Sequence, residues 1–390
     1  MRVIFLFTGA LKKINNFYFL TLIIIFTPFL LFADNTRLHN SLKNINFLIE
    51  SEVNDSFTYS GLASFYNNET AYIISNDKIE KINNSEPINI TPNQSLAIVG
   101  HYKILIINNI NHLISFKKGK LFWPDIEFDK NIIENNDLEV QLFLKSDLLY
   151  LPQPIKRLKY IHLWEPFSQL CIAIEKILLW LNSFHNLGWG VTIILLSLLF
   201  KIFVLPANIF LISSQRKVSF IQVSLEQELQ YIKNNYSGEE AHYKFIAAHK
   251  SKGVTPFYKL RPLFLSLIPI PFLISIFNVL GELDKISGHN FLWIKDLAYP
   301  DAILTFNNYI PLFGNSLNLL PILMTILSIF GAIYYQNKII GTKALNKQRL
   351  NLYIMSIGFF LLFYSFPSAM VLYWTFANIW QIIQQKFFSI

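Results

Sequence analysis

Residues 199–206 read LFKIFVLP. They close an apolar run that opens at Trp189 with WGVTIILLSL, and they put Lys201 inside sequence otherwise suited to hydrocarbon. About 20 mostly apolar residues cross a bilayer. A lysine near the middle of such a span costs about 2.5–3.5 kcal/mol on insertion scales. Two readings follow. Lys201 lies five residues before Pro206, about 7–8 Å along a helix at 1.5 Å per residue, so its side chain can snorkel to the interface. Alternatively, it faces a polar recess within the bilayer.

Composition places the chain in a membrane. Its 390 residues are 53% hydrophobic and only 15% charged, against about 25% charged in a soluble domain. The single cysteine, Cys171, excludes an intramolecular disulfide and a cysteine metal cluster. The net charge is +8. The basic residues sit beside apolar runs and are not interleaved with aromatics, so they speak to topology and not to specific nucleic-acid recognition.

The first candidate span is 17–33, preceded by Arg2, Lys12 and Lys13 and followed by Asp34. That flank predicts an N-terminus inside. Leu31 and Phe32 make a poor cleavage site before Ala33, so residues 1–33 read as a tail and an uncleaved anchor. Residues 34–156 are polar and Asn-rich, with short runs FTYSGLASFY, TAYIIS, YKILIINN and LEVQLFL. They predict a small β-rich domain. In 157–186, Leu163, Phe167, Leu170, Cys171, Ile174, Ile177, Leu178 and Leu181 recur at helical spacing. This predicts an amphipathic helix in the membrane interface; the alternative is an ordinary helix packed on the β domain. Further apolar runs cover 188–206, 262–281, 317–335 and 352–383. The last is too long for one crossing and is broken at YSFPSA by Pro367. The expectation is a polytopic α-helical membrane protein of about six transmembrane helices, with a five-helix core in 187–390.

Loop charge orients it. Residues 208–259 and 338–350 are rich in lysine and arginine, whereas 282–316 carries Glu282, Asp284, Asp296 and Asp301 against Lys285 and Lys295. Basic loops inside put both termini in the cytoplasm and the β domain in the periplasm. Within 208–259, Val218, Ile221, Leu225, Leu229 and Ile232 form a stripe, interrupted at NNYSGEE. This predicts a cytoplasmic helical hairpin.

No nucleotide loop, zinc-protease motif or serine-hydrolase elbow is present. His242 and His249 lie seven residues apart and read as a solvated helix face. No catalysis, cofactor or metal is expected. Lys201 is the only formal charge well inside a candidate span, and Ser197 lies one turn before it. Ser266 and Asn278 add polarity to the third span; Tyr373, Trp374, Thr375 and Asn378 add it to the last. Polar groups in spans face a bundle interior or a water-filled cavity, or act as glue between helices.

The ordered pieces SFHNLGWGVTIILLSLLFKIFVLP, KGVTPFYKLRPLF, FLWIKDLAYPD, NLLPILM and FPSAMVLYWTFANIWQIIQQ, which fall within residues 157–390, resemble the YidC/Oxa/Alb family of membrane protein insertases. The resemblance implies a bacterial inner-membrane insertase and folding chaperone, working without nucleotide hydrolysis through a groove open to cytoplasm and lipid. It implies a groove basic residue at Lys201, normally arginine, a hydroxyl at Ser197, and groove positions at Tyr373 or Trp374, with Ser266 where glutamine is usual; Asn378 is the further polar candidate. Implied partners are nascent membrane proteins and the lipid bilayer, and by extension the Sec translocon, the ribosome or the signal recognition particle receptor. The exported domain is shorter than in the best-known bacterial members. Competing readings of the residues are a scaffold for membrane-complex assembly and a transporter or channel.

Overall fold

The computed structural model describes residues 59–387, with 68–69, 77, 83–87, 92, 109–112, 119–123, 129–138, 186, 259, 312 and 338 outside the description. The candidate anchor 17–33 and its expected retention lie outside the described residues.

A 3-10 helix at Gly61–Asn67 precedes eight strands: β1 (Thr70–Ser75), β2 (Lys78–Lys81), β3 (Ile88–Asn89), β4 (Gln94–Val99), β5 (Lys103–Asn108), β6 (Leu113–Lys118), β7 (Pro124–Phe128) and β8 (Glu139–Leu144). One antiparallel sheet runs β2-β1-β4-β5-β8, and a second runs β3-β6-β7. In the larger sheet, Tyr72, Ile74, Ala97, Val99, Ile104 and Ile106 share one buried face with Leu148 and Leu158 of two short 3-10 helices. Within FTYSGLASFY, the part from Gly61 to Tyr66 is 3-10 helix and not a strand. Tertiary bonds override its β propensity: Tyr59 Oη donates to Ala298 O at 2.6 Å, and Ala63 N–H donates to Ser365 Oγ at 3.3 Å.

Eight helices follow among the described residues: α1 (Glu165–His185), α2 (Trp189–Asn235), α3 (Gly238–Ser251), α4 (Leu260–Leu267), α5 (Ile270–Glu282), α6 (Leu319–Tyr334), α7 (Thr342–Phe363) and α8 (Ser368–Phe387). Among the described residues two segments are long and apolar enough to cross a membrane, Trp189–Asn235 and Leu260–Glu282; α6 is apolar but 16 residues long. α2 does not stop at Pro206, since one proline removes one ladder bond and the helix resumes beyond it. The third apolar run is two helices, α4 and α5, parted at Ile268-Pro269, because a proline disfavours helical geometry in the residue before it. The loop after α5 carries an unforeseen hairpin of β9 (Ala302–Ile310) and β10 (Gly314–Asn318). α7 and α8 part around Pro367, as its missing donor predicts. α2 and α3 form the expected helical hairpin over Leu225, Ile232 and Ala248. His249 departs from a solvated face: it is buried between the rings of Phe245 and Tyr258, and its Nδ1 meets Phe245 O at 2.7 Å.

The main core lies at one end of the bundle. Its buried members include Cys171, Ile174 and Leu178 of α1, Trp189, Ile193 and Leu196 of α2, Ile276, Val279 and Leu280 of α5, Leu320 and Met324 of α6, and Ala369–Tyr373 of α8. None lies in α4, beyond Leu196 in α2, beyond Met324 in α6 or beyond Tyr373 in α8. Gly190 shows how close the packing is there, since a Cβ on it would stand 2.1 Å from the Phe291 ring.

The larger sheet docks on this same end through polar bonds made by the residues that flank its strands. Lys145 Nζ donates to Glu282 Oε2 at 2.8 Å, Ser146 Oγ to Asp284 Oδ2 at 2.9 Å, and His101 Nε2 to Gly281 O at 2.6 Å. Lys159 Nζ donates to Glu175 Oε1, and Tyr160 Oη to Glu175 Oε2 at 2.9 Å, anchoring α1 to the segment before it. Burial lowers the Lys159 ammonium and raises the Glu175 carboxyl from their ordinary values. Removing one partner of such a pair strands a charge. Lys159→Met is therefore expected to cost about 3–5 kcal/mol, and Lys159→Met/Glu175→Leu to restore most of it. Thermal unfolding read by a thiol-reactive dye on buried Cys171 checks this; equal losses in the single and double variants would contradict it.

Candidate functional site

At the other end of the bundle, nearer the hairpin, α2 and α8 meet through polar side chains instead of a core. Ser197, Lys201 and Asn208 lie at positions i, i+4 and i+11 of α2, hence on one face. Each meets α8. Trp380 Nε1 donates to Ser197 Oγ at 3.0 Å, Lys201 Nζ donates to Gln381 Oε1, and Asn208 Nδ2 approaches Gln384 Oε1 at 3.5 Å. Ser197 Oγ in turn donates to Ile194 O at 2.7 Å. The neighbouring face of α8 reaches α6, where Asn378 Nδ2 donates to Ser328 Oγ at 2.7 Å. Phe272 of α5 packs on the rings of Phe200 and Phe203, flanking Lys201.

Three helices are thus tied together by amide, hydroxyl and ammonium groups where hydrocarbon packing is thin. Lys201 is half-buried and Gln381 exposed. A lysine ammonium carries three donors and no acceptor, so one bond to Gln381 leaves two donors for water or a visiting carboxylate. Large apolar side chains around this end face outward, among them Ile202, Phe203, Phe264, Leu267, Phe330 and Ile354. The arrangement can hold water next to hydrocarbon and present one fixed positive charge to it.

The expected groove residues divide. Ser197 and Lys201 come together, and Asn378 joins them through α8. Tyr373 does not: it is fully buried in the packed end, and its hydroxyl is without a partner. It lies eight residues before Gln381, about 12 Å along the helix at 1.5 Å per residue. Trp374 packs among Phe277, Phe359 and Phe363 and so belongs to the apolar wall. Ser266 is exposed on α4 and spends its hydroxyl on Leu263 O at 2.7 Å. Asn278 lies at the sheet end, where its Oδ1 meets His162 Nε2 at 3.0 Å. The sequence reading missed Trp380, Gln381 and Gln384. The signal was present in NIWQIIQQ, where Asn378, Gln381 and Gln384 repeat at three-residue spacing.

A water-filled recess predicts selective labelling. With Cys171→Ala as background, Gln381→Cys is expected to react with a membrane-impermeant maleimide applied from the hairpin side, and Tyr373→Cys to stay unreactive until unfolding. Equal protection of both positions would mean that lipid or protein fills the space.

Known proteins locate this arrangement. The family model described as 60Kd inner membrane protein matches residues 180–390. The chain is 29% identical over 228 residues to the "Membrane protein insertase YidC" of Chlorobaculum parvum, covering 58% of this chain and 37% of that relative. It is 32% identical over 232 residues to the protein of the same name from Chlamydia trachomatis, covering 57% of this chain and 27% of the relative. The chain therefore spans little more than a third of the length of the first of these curated relatives and about a quarter of the second. A crystal structure described as "Active YidC insertase crystal structure with the first transmembrane domain resolved" overlaps 84% of each chain at TM-score 0.37 and 16% identity. The family match includes α2 through α8 and with them every residue of the Lys201 constellation; the chain belongs to the 60Kd inner membrane protein family.

Proposed function

We propose that the protein is a membrane protein insertase that also helps its substrates fold, and that the Lys201 recess is its working groove. The observation that carries this reading is the contrast between the two ends of the bundle. The sheet end is sealed by a continuous apolar core, and the hairpin end is held by the Lys201–Gln381 and Asn378–Ser328 bonds. The names of the relatives support the same activity.

In this reading the chain is a multi-pass inner-membrane protein of six spans: 17–33, four segments around α2, α4–α5, α6 and α7, and α8. Both termini and the 208–259 hairpin face the cytoplasm, the 34–156 β domain faces the periplasm, and 157–186 rests in the interface. The substrates are nascent membrane proteins. Lys201 keeps water in the recess and draws acidic residues of a substrate's short exported tail. Water reaching partway into the bilayer shortens the hydrocarbon barrier that the tail must cross. The substrate's own apolar span then passes into lipid along the outward-facing apolar sides of α4 and α7, driven by transfer out of water. The α2–α3 hairpin receives the emerging chain, and the Sec translocon, the ribosome or the signal recognition particle receptor would deliver it. No step needs a nucleotide or a metal.

Reconstitution of the full chain in proteoliposomes, with a short-tailed single-span substrate scored by protease protection, tests this. Lys201→Leu is expected to slow insertion of an acidic-tailed substrate about tenfold, the effect of about 1.4 kcal/mol on the barrier. Lys201→Arg should retain most activity, and Lys201→Glu should fall below Lys201→Leu on that substrate. Wild-type rates in both Lys201→Leu and Lys201→Glu would overturn the role of the charge.

A further inference from the structure

We propose that a cleft between α2 and α4, separate from the Lys201 recess, holds the phosphodiester headgroup of an anionic phospholipid. The cleft has a volume of about 640 Å³. Lys217 and Arg261 line it, with Ser213 and Ser214 of α2 and with Phe210 and Phe264. Among the described residues no acidic one lines it.

Three observations converge on that ligand. The first is position. Counting about 20 residues from Trp189 puts the edge of the hydrocarbon near Ile209, so Phe210 lies at the boundary and Ser213 and Ser214 at headgroup depth. Arg261 and Phe264 bracket the matching boundary at the start of the third apolar run. The second is direction. Side chains of a helix lean toward its N-terminus. Lys217 on α2 thus leans back toward the membrane, while Arg261, near the start of α4, leans out of it. The two cations approach one level from opposite sides.

The third is an unmet polar group. Ser214 is buried, and its hydroxyl has no hydrogen-bond partner although it lines the cleft. A buried hydroxyl without a partner is costly. By turning into the cleft the hydroxyl would donate to a phosphate oxygen held there. Basic pockets between helices at the edge of the bilayer bind anionic headgroups, and exposed Phe210, Phe257 and Phe264 offer acyl chains an apolar bed. A free phosphate would have no use for that wall, so the structure favours a lipid.

The occupant has a consequence for the groove. The cleft joins α2, which carries Lys201, to α4, which leads into the third apolar run. A bound lipid would brace this seam, where α4 has no buried residue of its own. The proposal does not depend on the insertase reading, because it needs only that these two segments cross a bilayer.

The full chain in nanodiscs of phosphatidylcholine doped with phosphatidylglycerol provides the test, with bound lipid counted by native mass spectrometry. Wild type is expected to retain phosphatidylglycerol over phosphatidylcholine. K217Q/R261Q should lose that retention by roughly tenfold or more, with its unfolding midpoint recording that the fold is kept. K343Q/K347Q, which removes the same charge elsewhere, should keep it. F264A provides a second variant that leaves all charge in place, and it should weaken a long-chain lipid more than a short-chain analogue. Equal loss in K343Q/K347Q, equal retention of phosphatidylcholine, or displacement of the lipid by inorganic phosphate alone would each overturn the proposal.

Discussion

A charge inside a bilayer must keep a polar partner, and this constraint organises the bundle around Lys201. Its ammonium bonds Gln381 across the α2–α8 seam, and the serine one turn earlier bonds Trp380. These groups cannot be packed like hydrocarbon without losing their partners. At this level direct polar bonds between α2, α8 and α6 take the place of the buried apolar core. A polar face on α8 that repeats at Asn378, Gln381 and Gln384 carries the same pattern toward α6.

An open end needs a closed one. The sheet end provides it with aromatic and aliphatic packing across α1, α2, α5, α6 and α8. The docked larger sheet adds polar bonds to the end of α5 and the turn after it, where Glu282 and Asp284 receive Lys145 and Ser146. Burial raises the Asp284 carboxyl, a sign that this contact is removed from water. The polar groups of the dock tie separate segments of the chain together at the sealed end.

The elements that could be read from the sequence are those whose pattern is local. TAYIIS and the aliphatic part of YKILIINN are β1 and β5, the stripe from Ile221 to Ile232 is one arm of the helical hairpin, and Pro367 separates α7 from α8. The misreadings come from long-range contacts. FTYSGLASFY has strand composition, but its part from Gly61 to Tyr66 is a 3-10 helix, flanked and held by the bonds of Tyr59 to Ala298 and Ala63 to Ser365. Pro206 looked like an end because its missing donor is local, whereas α2 continues because both of its flanks are helical in their own right. At the site, Lys201 and Ser197 could be paired by spacing alone. Their partners could not, because Gln381 is 180 residues away and only the packing of α8 brings it near. Tyr373 and Asn378 lie five residues apart on one helix, yet the level at which the core stops decides that one is sealed and the other bonded to α6.

The central claim is that a substrate passes through the Lys201 recess and not along another surface. Site-specific photo-crosslinking of a stalled, short-tailed single-span nascent chain tests it most directly. A probe at Gln381 is compared with one at Leu292, an exposed residue at the sheet end. The account predicts strong adducts at Gln381 while the chain is stalled, their loss on release into the membrane, and none at Leu292. Insertion that proceeds with no adduct at Gln381 at any stage would contradict it.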